Sequence, residues 1–369
     1  MMSSFVRRAT AVSLLVLSAA AAGAAPAAAA GPPAARAGTT AAAPTPAQAG
    51  AGWIGRQFSG RFVRSNGAPD PGATAEAVLA LAAAGEGGDK AHKALVWLSK
   101  HFQPYVSPGG VDDAGALATV ILAARSLGVD PTAFGGTAAK NNLVHRLEDS
   151  QETSGSDVGL FGTSDPTYNG AFRQGLALMA LASVGVSNPA GVAWLQNQQC
   201  SDGGFESYRS DTTTPCAAPD PDDFTGPDTN STSLAVEGLL AQDATFPVDP
   251  TAFFESAQNA DGGFGYIGAS SQSPDPDSTG EVIQALVALG QLDNPAFTQP
   301  GDQTPLTALA SFQLGCSSPR SERGAYTFPG DEGPNLLAAL EAVPGAAEVA
   351  FPLGPQSPAP GLPRLACRH

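Results

Sequence analysis

Three carboxylates crowd one short stretch, PDPDDFTG, as Asp220, Asp222 and Asp223. The loops 220–228 and 275–277 carry the alternating carboxylates that suit a hard cation such as calcium. Solvation of an acidic loop is the simpler reading, and no cofactor is expected. A wider set of polar groups, Asp70, Asp112, Asp113, Asn169, Asp228, Asn230, Asp275, Asp277 and Asn335, stands where apolar runs begin. Acidic groups at helix starts cap free amides and complement the helix dipole, which accounts for most of them. Tyr208, Tyr266 and Tyr326 follow glycine-rich turns and are candidates for the rim of a cavity. Other chemistries lack their residues. There is no Gly-x-Ser-x-Gly, no His-Glu-x-x-His and no Cys-Gly-Glu-Gln, and His92, His101, His145 and His369 fall in no ligand spacing.

The elements that position these groups repeat. AQNADGGFGY (257–266) and LQNQQCSDGGFESY (195–208) share a glutamine, Asp-Gly-Gly-Phe and a following tyrosine. Weaker copies give a series at Gln57, Gln103, Gln151, Gln198, Gln258 and Gln313, roughly 46 to 60 residues apart. Each glutamine closes a helical stretch, such as AHKALVWLSKHFQ or PLTALASFQ. Each turn opens a second, Ala-rich stretch, such as DAGALATVILAARSLG or STGEVIQALVALG, most of them ending on glycine or another breaker. The unit is therefore an outer helix, a glycine–aromatic turn and an inner helix. Small residues let inner helices crowd round an axis, so about six units predict an all-α fold, an α6/α6 toroid of two concentric helical rings. Phe205 and Phe264 read as structural staples between units.

The Gln-x-x-Asp-Gly-Gly-Phe repeat resembles that of protein prenyltransferase β subunits and of squalene and terpenoid cyclases, over residues 51–345. Two reactions are implied by that resemblance. In the cyclases an Asp-x-Asp-Asp motif keeps one carboxylic acid protonated so that it can protonate an alkene, which would assign catalysis to Asp220, Asp222 and Asp223. There the motif opens an inner helix and is followed by Thr-Ala. Here Phe-Thr-Gly-Pro follows, and the helix opens later at DTNSTS, where Asp228, Asn230 and Ser231 lack the paired acid. In the prenyltransferases Asp, Cys and His hold zinc; here Asp277 has no Cys two residues on. Non-catalytic rings of similar build include the transcobalamins. The reading is a binding module for a lipid-like or corrinoid ligand, held by Tyr208, Asp228, Asn230, Tyr266, Asp277 and Tyr326. The alternative is a class II cyclase-like enzyme.

Arg7 and Arg8, an apolar run from Ala11 to Ala22 and Ala-x-Ala sites near 28–30 predict a signal peptide over 1–30. Residues 31–50 read as an Ala/Pro-rich linker, 51–345 as the toroid and 346–369 as a Pro-rich tail. Export predicts oxidised cysteines. Three pairings of the four are open; Cys200–Cys216 with Cys316–Cys367 is the simplest. The net charge of −16, from 18 basic and 34 acidic residues among 369, repels nucleic acid. No span is expected in the mature, secreted chain. A small-molecule ligand is the expected partner, together with a cell-surface protein to cap it.

Overall fold

The computed structural model describes residues 43–163, 169–220, 222–268 and 272–367. The expected signal peptide, most of the expected linker and His369 lie outside them.

Six helices run side by side in chain order: α2 (Pro71–Ala83), α5 (Ala114–Ser126), α7 (Ala171–Ser183), α9 (Thr229–Ala241), α11 (Pro276–Leu289) and α13 (Leu336–Ala346). The last packs on the first, so the ring closes. The preceding helix of each unit lies outside: α1 (Pro46–Gln57), α3 (Gly88–His101), α6 (Leu143–Asp149), α8 (Pro189–Gln198), α10 (Thr251–Ala257) and α12 (Pro305–Ser311). One further turn, α4 (Gln103–Val106), continues α3. This is the α6/α6 toroid expected from the repeat. Its first helix begins at Pro46, capped by Thr45 and burying Ala47, Ala49 and Gly50, so the expected linker boundary at 50 lies too late.

The inner helices are apolar nearly all round because they touch neighbours on both sides. Every residue of α5 except Arg125 is buried. Glycine sets the closest approaches. A β-carbon at Gly175 would stand 2.1 Å from the Leu234 carbonyl oxygen, and one at Gly345 would stand 2.6 Å from that of Gly280. The backbones of α7 and α9, and of α11 and α13, therefore meet directly.

Five inner helices begin on the acidic or amide residues picked out by their position. Asp70, Asp113, Asp228, Asp275 and Asn335 each accept the backbone N–H three residues on. In two of them a threonine four residues after the cap receives the staple amide: Phe205 N–H bonds Thr232 Oγ1 at 2.9 Å and Phe264 N–H bonds Thr279 Oγ1 at 3.0 Å. The glutamine ties the unit to the next one. Gln258 Nε2 donates to Gly262 O and to Phe297 O beyond α11. Gly262 holds φ +88°, a conformation glycine adopts without strain. Gln199 Nε2 makes the same pair of bonds, to Gly203 O and Val248 O. The repeat therefore registers on Gln199; Gln198 instead accepts the Arg209 amide.

Both simplest disulfides are present, Cys200–Cys216 and Cys316–Cys367, with Cα–Cα separations of 5.7 and 5.6 Å. The tail is a strap. Gly87 N–H donates to Gly361 O, Gly88 N–H to Ala359 O, Ala359 N–H to Gly85 O and Gln356 N–H to Ser126 O. It thus crosses the end where the inner helices finish. Among the described residues no helix is long and apolar enough to cross a membrane.

Candidate ligand-binding site

All six inner helices line one central cavity of about 290 Å³. Leu79, Leu122, Leu176, Leu234 and Leu340 make its wall apolar. Phe172, 37% exposed near the start of α7, marks the mouth. Pro344 and the strap residue Phe351 line it where the inner helices end. Into this wall project Glu76 from α2, Glu281 and Gln284 from α11 and Glu341 from α13. Asp277 precedes Glu281 by four residues and so shares its face of α11.

Poor solvation dominates the electrostatics of this cluster. Burial, and then the charge of Asp70, raises the Glu76 carboxyl to about 7. Burial, then Asp277 and Glu76, raises Glu281 to about 8. Glu341 is pushed well above the ordinary range by burial, then by Asp277 and Glu281. Asp277 rises to about 7 by burial and its neighbour Asp275. These acids therefore hold protons near neutrality and compete for charge. Among the described residues lining the cavity, Arg173 is the single cation, and its guanidinium lies 3.6 Å from Asp113. Glu281 Oε2, Gln284 Oε1 and Asp277 Oδ1 are buried without a hydrogen-bond partner. Deeper in α9, fully buried Glu237 accepts the Phe351 amide at 3.0 Å through one oxygen and leaves the other unpartnered.

The residues singled out by sequence mostly stand elsewhere. Asp222 and Asp223 are exposed and half-buried Asp220 accepts both their amides, so the trio is a solvated turn outside the cavity. Asp228 is the buried N-cap of α9 and donates no oxygen to the cavity. Asn230 accepts the Thr229 hydroxyl. Tyr208 donates to Asp157 at 3.0 Å and packs beside Trp194. Tyr266 is half-buried beside Phe224. Tyr326 is fully buried: its bridges to Gln313 and Asn335 match those of Phe205 to Gln199 and Asp228, so it is a staple rather than a rim residue. Of the expected set only Asp277 joins the acid cluster. Glu76, Glu237, Glu281 and Glu341 were missed, although Glu76, Glu237 and Glu341 are each the lone acid of an apolar inner helix, as in GATAEAVLALAA and NLLAALEAV. For calcium, the one group of three or more carboxylate, thiol or imidazole ligands within 4.8 Å among the described residues is Cys200, Glu206 and Cys216, whose sulfurs are bonded to each other.

No family model and no curated protein matches this chain. Solved structures do. A UGL variant with dGlcA-Glc-Rha-Glc is similar at TM-score 0.52 and 11% identity, over 82% of this chain and 95% of that one. A variant of the type II terpene cyclase MstE from Scytonema, in complex with merosterolic acid A, gives 0.48 and 13%, over 82% and 95%. Candida albicans protein geranylgeranyltransferase-I complexed with GGPP gives 0.46 and 12%, over 73% and 82%. At 11% identity the likeness to the first is one of fold, and function has to be argued from the site itself.

Proposed function

We propose that the protein is an exported ligand-binding toroid that holds a small amphiphile in its central cavity without transforming it. The observation that carries this reading is the set of buried, unpartnered oxygens of Glu281, Gln284 and Asp277 on one face of α11, beside a leucine-lined cavity. Leaving such groups unsatisfied costs about 1–3 kcal/mol each, and a ligand with matching donors recovers it. A volume of about 290 Å³ lies at the small end of ligand pockets, about 300–1,000 Å³. It suits a small lipid-like molecule better than a corrinoid. The strap carrying Phe351 closes the far end within the chain, a task otherwise left to a partner protein. The two disulfides fit the oxidising compartment that export implies.

The test is native mass spectrometry of the protein purified from its own host medium. A retained small molecule, released by Leu234→Trp and unaffected by Asp222→Asn, supports the reading. A ligand lost on Asp222→Asn instead would move the site to the disulfide loop. A second reading has its own observation. Glu76 and Glu281 keep protons near neutrality, as a general acid requires. Turnover of squalene or geranylgeranyl diphosphate, abolished by Glu281→Gln, would establish that reading instead.

A further inference from the structure

We propose that the central cavity selects an organic monocation, an amine on an apolar body, whose ammonium group is received by Glu281, Gln284 and Asp277 of α11. The proposal rests on the binding reading above and names its ligand class. Four buried side-chain oxygens lack a partner, those of Glu237, Asp277, Glu281 and Gln284; the amide oxygen accepts in every state, and each carboxyl oxygen accepts once its acid has given up its proton. The remaining unpartnered group among the described residues is the hydroxyl of Tyr326, sealed in the wall between units. Gln284 lines the cavity at 1% exposure, and its amide nitrogen donates to Gly280 O at 3.4 Å, which leaves its oxygen without a partner. A donor-bearing molecule therefore meets an acceptor at Gln284 and, on displacing the proton of the acid beside it, a further one there.

Charge decides between a neutral polyol and a cation. Acids reach the site from α2 (Glu76), α11 (Asp277, Glu281) and α13 (Glu341). Tyr105 from α4 and the Asp113–Arg173 pair from α5 and α7 also line it, while Glu237 of α9 sets its charge against Glu281, Asp275 against Asp277 and Asp70 against Glu76. One anion balanced by one guanidinium leaves four acids with no counter-charge, a site that repels carboxylates and phosphates and draws cations. A bare divalent ion fits poorly, because no three of these carboxylates bring oxygens within 4.8 Å of one another. The leucine wall supplies the surface for an apolar body. Binding a cation ionises the acid beside it, so affinity must rise with pH and protons must leave on binding.

Isothermal titration of the mature chain at pH 6 and pH 8.5 tests this with three probes that share a phenethyl body: phenethylammonium, 2-phenylethanol and hydrocinnamate. One phenethylammonium should bind per chain, at least about tenfold tighter than the alcohol. Its affinity should rise at pH 8.5 with proton release, and hydrocinnamate should not bind. Glu281→Gln should weaken the amine by at least about tenfold, to the level of the alcohol. If that variant fails to fold, Asp277→Asn should weaken the amine in the same direction. Equal binding of alcohol and amine would overturn the cation inference while leaving the cavity reading intact. Preference for hydrocinnamate would overturn it outright. Binding of none of the three would overturn the cation inference, and the native mass spectrum would decide the cavity reading separately.

Discussion

A carboxyl group turned into a poorly solvated cavity keeps its proton, and so ties stability to pH. Glu281 moves from an ordinary 4.5 to about 8, and Glu76 and Asp277 to about 7. Raised carboxyls contribute their full stability below the unfolded value and lose it as pH rises through the folded value, here between about 4.5 and 8. Asp112, lowered by the Arg146 guanidinium, works the other way and below that window. The ligand-free protein should therefore unfold at lower urea at pH 8.5 than at pH 5.5, by at least ~1 kcal/mol. Glu281→Gln should shrink the difference; an unchanged difference would place the effect on other groups. Asp228, also raised to about 7 by burial, acts as a cap and not in the cavity. Its carboxylate accepts Ser231 N–H at 2.6 Å inside the wall, so Asp228→Ala should lose ~1 kcal/mol as a missing cap, Asp228→Asn should keep it, and amine affinity should move in neither. Capping was legible in the sequence because it depends on neighbours along the chain. Which acids share a cavity depends on the rotation of six helices about their axes, and spacing within one repeat does not reveal that.

Each inner helix is defined at its start by a cap and along its length by small residues. The repeat made both visible, and with them the pairing of outer and inner helices. The register of one unit was missed because Gln198 and Gln199 stand side by side; the spacing to Asp202 and the bonds to Gly203 O and Val248 O single out Gln199. The aromatic position hid Tyr326 similarly, since a hydroxyl suggests a rim while the bridge to Gln313 makes it a staple. The glycines of the inner ring make a sharper prediction. In an isolated helix Ala is better than Gly by about 1 kcal/mol. At Gly175 the added carbon would meet backbone 2.1 Å away on α9, and backbone cannot step aside as a side-chain tip can. Overpacking of this kind costs about 1–3 kcal/mol, so Gly175→Ala should lower the thermal midpoint despite the better propensity. Gly315→Ala, with nothing within 4 Å, should leave it within experimental error. A Gly175→Ala variant as stable as the parent would mean that α7 and α9 stand further apart.

In the whole molecule, ring closure by α13 on α2 and the strap across the ring's end are separate devices, and the two disulfides serve them unequally. Cys200–Cys216 spans a separation of 16 residues at an exposed insertion, where opening is local. Cys316–Cys367 spans 51 and anchors the strap to the turn after α12. Loop-closure entropy assigns them about 3 and about 4 kcal/mol, but only the second acts on contacts that the rest of the ring depends on. The strap packs so closely that a β-carbon at Gly52 would lie 1.8 Å from Pro363 O and one at Gly88 would lie 2.3 Å from Pro358 O. It also supplies the amide that partners Glu237 and the ring of Phe351 in the cavity wall. Replacing Cys316 and Cys367 together by serine should therefore do more than lower stability. Hydrogen exchange should quicken first at Gly87 and Gly88, whose amides bond strap carbonyls, and retention of the cavity ligand should fall with them. Replacing Cys200 and Cys216 by serine should quicken exchange only around residues 200–216 and leave ligand retention unchanged. Were the two double variants to lose ligand equally, the strap would not be what closes the far end of the cavity, and the Cys200–Cys216 insertion would have to reach it.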